Sequence, residues 1–189
     1  MELKSKTSAW TLLVAAISGF LASFILTYDK FKVLKDSGYT PSCNINTTLN
    51  CKSVMLSKQA EVFGFPNSLI GVATFAMMLV IAVALFLGVR FPKIFWQLVL
   101  VGTALAVIFC HWLAFQTTFI IGALCPYCMV AWFATLLVLS VASRELIEFK
   151  RERLTDEASI SATETIQKWM VPFHLLWAVL LIGSAFLGV

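Results

Sequence analysis

A chain of 189 residues that is 60% hydrophobic and only 13% charged, with a mean hydropathy of +0.89, has too little polar surface to enclose a soluble core. Its composition is that of an integral membrane protein surrounded by membrane lipid. With a net charge of only +4, no nucleic-acid partner is expected.

Five apolar stretches are long enough to cross about 30 Å of hydrocarbon: Trp10–Leu26, Ser68–Val89, Ile94–Phe115, Tyr127–Ser143 and Met170–Val189. The first runs on into Tyr28 and charged residues without a small-x-small cleavage site, which predicts a mature helix rather than a secretory signal. Trp10 and Tyr28 bracket this span, and Trp96 and Trp169 open the third and fifth, where amphipathic rings settle at headgroup level. Between spans the chain is short except over Asp29–Asn67 and Arg144–Lys168. The second of these segments, rich in Arg, Glu, Ser and Thr, predicts a polar linker or a short charged helix and carries no evident chemistry.

Lys4, Lys6, Arg90, Lys93, Arg144, Lys150, Arg151, Arg153 and Lys168 fall on one side of the membrane, and Lys30, Lys32, Lys35, Lys52 and Lys58 on the other. The positive-inside rule then predicts a cytoplasmic N-terminus and an external C-terminus, although the cluster Lys30–Lys35, just past the first span, argues the other way. Whatever the orientation, the loop holding Cys43 and Cys51 and the turn leading to Cys125 are an even number of crossings apart. Both cysteine pairs therefore face one compartment, and disulfides persist there if it is extracytoplasmic.

Cys125-Pro126-Tyr127-Cys128 lies where a short turn over Ile121–Leu124 feeds the fourth span. At a helix N-terminus a Cys-x-x-Cys thiolate is stabilised by the positive end of the helix dipole and by unpaired backbone N–H groups. Pro126 suits the first helical turn, where its missing N–H costs nothing. Three readings are open for this pair: redox chemistry, a structural disulfide, or half of a metal site. Cys43 and Cys51 are separated by seven residues in a polar stretch, Ser42–Lys52, that contains three Asn and two Thr and is flexible by composition. Alone they read as a loop staple. Beside a second pair on the same face they read as a mobile dithiol able to exchange with a fixed one.

The stretch Cys51-Lys52-Ser53-Val54-Met55-Leu56-Ser57-Lys58-Gln59-Ala60, followed by Gly64-Phe65-Pro66-Asn67-Ser68 and Gly71 and later by Cys-Pro-Tyr-Cys, resembles the vitamin K epoxide reductase family in its bacterial branch. The resemblance covers roughly Trp10–Ser143. In the other bacterial family of disulfide-forming quinone reductases, the Cys-x-x-Cys lies in the first external loop and the spaced pair in the second, the reverse of the order here.

The resemblance implies an all-α integral membrane protein: a four-transmembrane-helix bundle around a quinone, with a peripheral fifth helix. Residues 1–143 would be the catalytic bundle, with loop 29–67 extracytoplasmic, 144–168 a cytoplasmic linker and 169–189 the fifth helix. Many bacterial relatives carry a fused thioredoxin-like domain, which is not expected here, so a separate thioredoxin-like or DsbA-like extracytoplasmic protein would donate electrons. The implied location is the bacterial cytoplasmic membrane, with the active site facing the exterior.

In the implied relay a reduced partner attacks Cys43, Cys51 attacks Cys125, and Cys128 passes electrons to a membrane quinone, whether ubiquinone, menaquinone or a vitamin K-type ring. Reduction of vitamin K epoxide itself and a non-catalytic metal-binding protein are the alternatives. Ser57 matches a family serine expected to seat the loop over the pocket. Asn67 matches an asparagine that donates to the quinone carbonyl in vertebrate relatives, and equally suits a helix cap. Trp132 suits either a quinone-packing wall or the bundle core. Intramembrane His111 is a candidate proton donor, while Cys110 and His174 are expected to pack.

Overall fold

A computed structural model describes residues 2–153 and, beyond them, residues 161, 164, 165, 168, 169, 172–174, 176–180, 183 and 184. The helices in chain order are α1 (Glu2–Lys35), α2 (Cys51–Met55), α3 (Asn67–Phe86), α4 (Lys93–Phe115) and α5 (Pro126–Arg153). A 3-10 turn, Lys58–Glu61, joins α2 to α3, and a π-helical turn, Gln116–Ile121, extends α4. Among the described residues α1, α3, α4 and α5 are long and apolar enough to cross a membrane, and no β-strand forms. The protein is an all-α membrane bundle.

The 34 residues of α1 reach about 50 Å at 1.5 Å per residue, well beyond the hydrocarbon thickness. The span expected to end at Leu26 continues for more than two turns because nothing breaks the helix before Gly38, and Lys32 and Lys35 suit the negative end of its dipole. Likewise α5 runs past Ser143 to Arg153. Half of the fifth span expected over Met170–Val189 falls outside the described residues. Within it, Ala178 is buried against Val107 of α4 and Trp132 and Leu136 of α5.

In the bundle α1 packs on α3 and on α5, and α4 packs on α5, whereas α3 and α4 scarcely touch. Small residues bring α1 and α3 close: a Cβ on Gly19 would sit 2.5 Å from the Phe75 ring, and one on Gly71 would collide with Ser23 Oγ. Leu12, Ala15, Phe75, Ala82, Val138 and Val141 form the main buried cluster. Trp96 belongs to it at 1% exposure, its ring edge-on to Phe91 and Phe95. The headgroup anchor expected at Trp96 is thus corrected: position in the sequence placed it near a helix end, but it lies on the face of α4 turned into the bundle. Trp10, Tyr28 and Trp169 are more than half exposed, as lipid-facing anchors should be.

Candidate active site

The chain leaves α4 through the π-helical turn and stops at Gly122, whose φ of 68° is left-handed and suits a residue without a Cβ. The N–H of Ala123 returns to the Thr117 carbonyl at 3.1 Å, and three residues later α5 begins. Cys125 stands just before Pro126, and the backbone N–H of Cys128 donates to Cys125 Sγ at 3.3 Å. The sulfur thus takes the capping position filled elsewhere by a Ser or Asp oxygen.

The loop reaches this turn through main-chain bonds. Leu124 N–H donates to Thr48 O at 2.7 Å and Asn50 N–H donates to Leu124 O at 3.0 Å, a single parallel bridge pairing Leu49 with Leu124. Its register brings the residues just before Cys51 alongside the residue just before Cys125. Cys43 and Cys51 are joined by a disulfide, with Cα atoms 5.8 Å apart, and Cys125 and Cys128 are thiols. Cys43, Cys51 and Cys125 are each less than 5% exposed in one apolar cluster with Leu26, Val54 and Met55, against which Cys128 packs. All four expected redox cysteines are brought together.

The loop is more ordered than its composition suggests, because each of its three asparagines accepts backbone N–H groups. Asn44 Oδ1 accepts from Lys52, Asn46 Oδ1 from Thr48 and Leu49, and Asn50 Oδ1 from Ser53 at the start of α2. Lys52 Nζ donates to the Ser37 and Tyr39 carbonyls at 2.6 and 2.9 Å. Tyr39 OH donates to Asp29 Oδ1 at 2.8 Å, and this carboxylate holds the Tyr39 hydroxyl above its ordinary pKa of 10.0. Ser42 Oγ and Tyr127 OH, 3.2 Å apart, tie the loop to the Cys-Pro-Tyr-Cys turn.

Beneath the cysteines lies a cavity of about 770 Å³ with predominantly apolar walls, and Cys125 and Cys128 line it. Ser57, Asn67, Trp132 and Cys110 also line it, whereas His111 does not. Ser57 donates to Val54 O at 2.7 Å and stands at the head of the 3-10 turn. Asn67 donates to Gln59 O at 2.7 Å and accepts from Val62 N–H at 3.2 Å, so its amide fastens that turn to α3. The N-terminal cap of α3 is Pro66, so Asn67 does not cap the helix. Trp132 is 5% exposed, and its Nε1 has no hydrogen-bond partner among the described residues. His111 lies behind Trp132, its ring edge-on to the indole at 4.9 Å and 4.9 Å from His174, with Nδ1 2.7 Å from the Val107 carbonyl. Among the described residues no three metal-ligating side chains converge.

Two further lining residues were not anticipated. Thr118, in the π-helical turn, has a buried Oγ1 without a partner among the described residues. Nothing in its sequence context marks it, because the π-helical turn that carries it has no sequence signature. Lys30 also lines the cavity, and its position one turn after Leu26 was a legible signal once α1 is known to continue.

A comparison with curated proteins finds no match. The model of the Vitamin K epoxide reductase family matches residues 10–143, which hold all four cysteines and the cavity between the four spanning helices. The match covers well over half of the chain, and the protein therefore belongs to the vitamin K epoxide reductase family as a membrane oxidoreductase.

Proposed function

We propose that the protein is a quinone-dependent thiol-disulfide oxidoreductase that draws electrons from an extracytoplasmic thioredoxin-like protein and so supports disulfide formation. The observation that carries this reading is the main-chain bridge setting Cys51 beside Cys125 at the head of an apolar cavity. A disulfide and a neighbouring thiol pair in one cluster are what exchange requires.

The cavity suits a quinone. Its apolar walls match a ring, and two of its lining residues, Thr118 and Trp132, each carry a buried polar atom without a partner among the described residues. One amide hydrogen of Asn67 is also left over after its bond to Gln59 O. The sparsely joined α3 and α4 both line the cavity, and a lateral opening between them would let an isoprenoid tail lie in lipid. A bound quinone supplies an acceptor for two electrons and two protons.

In the chain's own steps, a partner thiolate attacks Cys43 and releases the Cys51 thiolate. Cys51 then attacks Cys125 of an oxidised Cys125–Cys128 pair, releasing Cys128, and the partner's second thiol resolves its mixed disulfide with Cys43. The freed Cys43 re-forms the bond to Cys51, returning Cys125 as a thiol. Each cycle oxidises one partner dithiol, and the Cys125–Cys128 dithiol gives its two electrons and two protons to the ligand as its own disulfide closes. The external orientation is supported by the Lys and Arg distribution. The contrary cluster is weakened because Lys30 is buried and paired within the protein.

The test is quinone reduction by the purified protein in detergent with dithiothreitol as donor, wild type against Cys128→Ala. Turnover in the wild type that disappears in the variant is expected. A folded wild type without turnover overturns the proposal.

A further inference from the structure

One buried charge has no part in the relay. Lys30, 4% exposed near the end of α1, is the only charged residue lining the cavity among those described. Its Nζ donates to the carbonyl of Met55, the last residue of α2, and pairs with Glu61 Oε1 at 2.8 Å, at the end of the 3-10 turn. Both partners belong to the segment 51–61, whose Val54, Met55, Ser57, Gln59 and Ala60 roof the cavity.

An ammonium in apolar surroundings is tolerated only when paired and hydrogen-bonded. Both partners here are on the roof, so lifting the roof strips the ammonium of its compensation. The post that carries it is rigid, since α1 is locked to α3 where Gly19 and Gly71 allow close approach. Met55 also sits in the cysteine cluster, so the roof's height and the seating of Cys51 change together.

We propose that Lys30 is a positioning residue: through the Met55 carbonyl and Glu61 it holds the segment 51–61 down over the cavity and keeps Cys51 beside Cys125. Its part in turnover rests on the redox reading above.

The test follows thiol accessibility and needs no quinone. Protein reduced with dithiothreitol and freed of reductant is reacted with a membrane-impermeant maleimide, and modification of Cys51 and Cys125 is followed by peptide mass spectrometry. Lys30→Met removes the charge while keeping an unbranched chain. Glu61→Gln, at a side chain 43% exposed, removes only the partner's charge. Cys51 and Cys125 are expected to react about tenfold faster or more in Lys30→Met, and faster by a smaller factor in Glu61→Gln.

Thermal midpoints should stay within about 5 °C of wild type. In the dithiothreitol assay, where the small donor can reduce the Cys125–Cys128 pair directly and bypass Cys51, KM for quinone should rise with kcat retained, a split that a merely structural role would not produce. Wild-type reaction rates in both variants overturn the proposal. So does acceleration seen only alongside a collapsed midpoint in both, which is loosening of the whole bundle. Absence of quinone turnover in the wild type defeats the redox reading and leaves the labelling result to decide on Lys30.

Discussion

Asp29 and Lys30 are adjacent in sequence, both buried at the loop end of α1, and committed to opposite tasks. Lys30 reaches towards the cavity roof, whereas Asp29 accepts from the Tyr39 hydroxyl, with its other oxygen, Oδ2, unpartnered among the described residues. Tyr39→Phe therefore removes a hydrogen bond from a buried carboxylate and should lower the thermal midpoint at neutral pH. The Tyr39 pKa is raised in the folded protein above its ordinary 10.0, so its contribution is complete below about pH 10 and is lost as pH climbs through the folded value. The gap between wild type and variant should narrow in alkali. Thermal unfolding followed from neutral to strongly alkaline pH checks this, and a constant gap contradicts it.

Among the spanning helices, α1 and α3 share the most extensive contact, whereas α3 and α4 scarcely touch. Gly19 faces the buried Phe75 ring, whereas a Cβ on Gly102 of α4 meets nothing within 4 Å. Gly19→Ala and Gly102→Ala gain the same helix propensity, so the difference between them isolates overpacking. Gly19→Ala should be the less stable by about 1–3 kcal/mol, with unfolding in detergent as the measurement. Equal stabilities would mean that Phe75 swings aside freely.

The spanning helices were legible because about 20 apolar residues in a row have few other uses. Their extensions were not, since α1 past Leu26 and α5 past Ser143 carry polar residues and the helix continues where hydropathy falls. Trp96 misled for a related reason: an indole near a helix end looks the same in sequence whether it faces lipid or the bundle.

Across the whole molecule, the four cysteines were legible from spacing and topology, because an even number of crossings puts both pairs on one face. What brings them together was not legible: the Leu49–Leu124 bridge depends on main-chain groups whatever the side chains, and the π-helical turn that carries Thr118 has no signature in the sequence. The bridge register carries a prediction about the relay. In a Cys43→Ala, Cys128→Ala double variant, mild oxidation should join Cys51 to Cys125 as the main cross-link, detectable by non-reducing peptide mapping. Preferential pairing of either with Cys110 would contradict the register.

The same bridge has a consequence for biosynthesis. It joins strand-like segments that leave the ribosome far apart in time, with α3 and α4 made in between. Cys43 and Cys51, eight positions apart, are within reach of each other as soon as their loop is made, long before Cys125 exists. Translation order thus makes the local pairing available first, before Cys125 and Cys128 can compete for either loop cysteine.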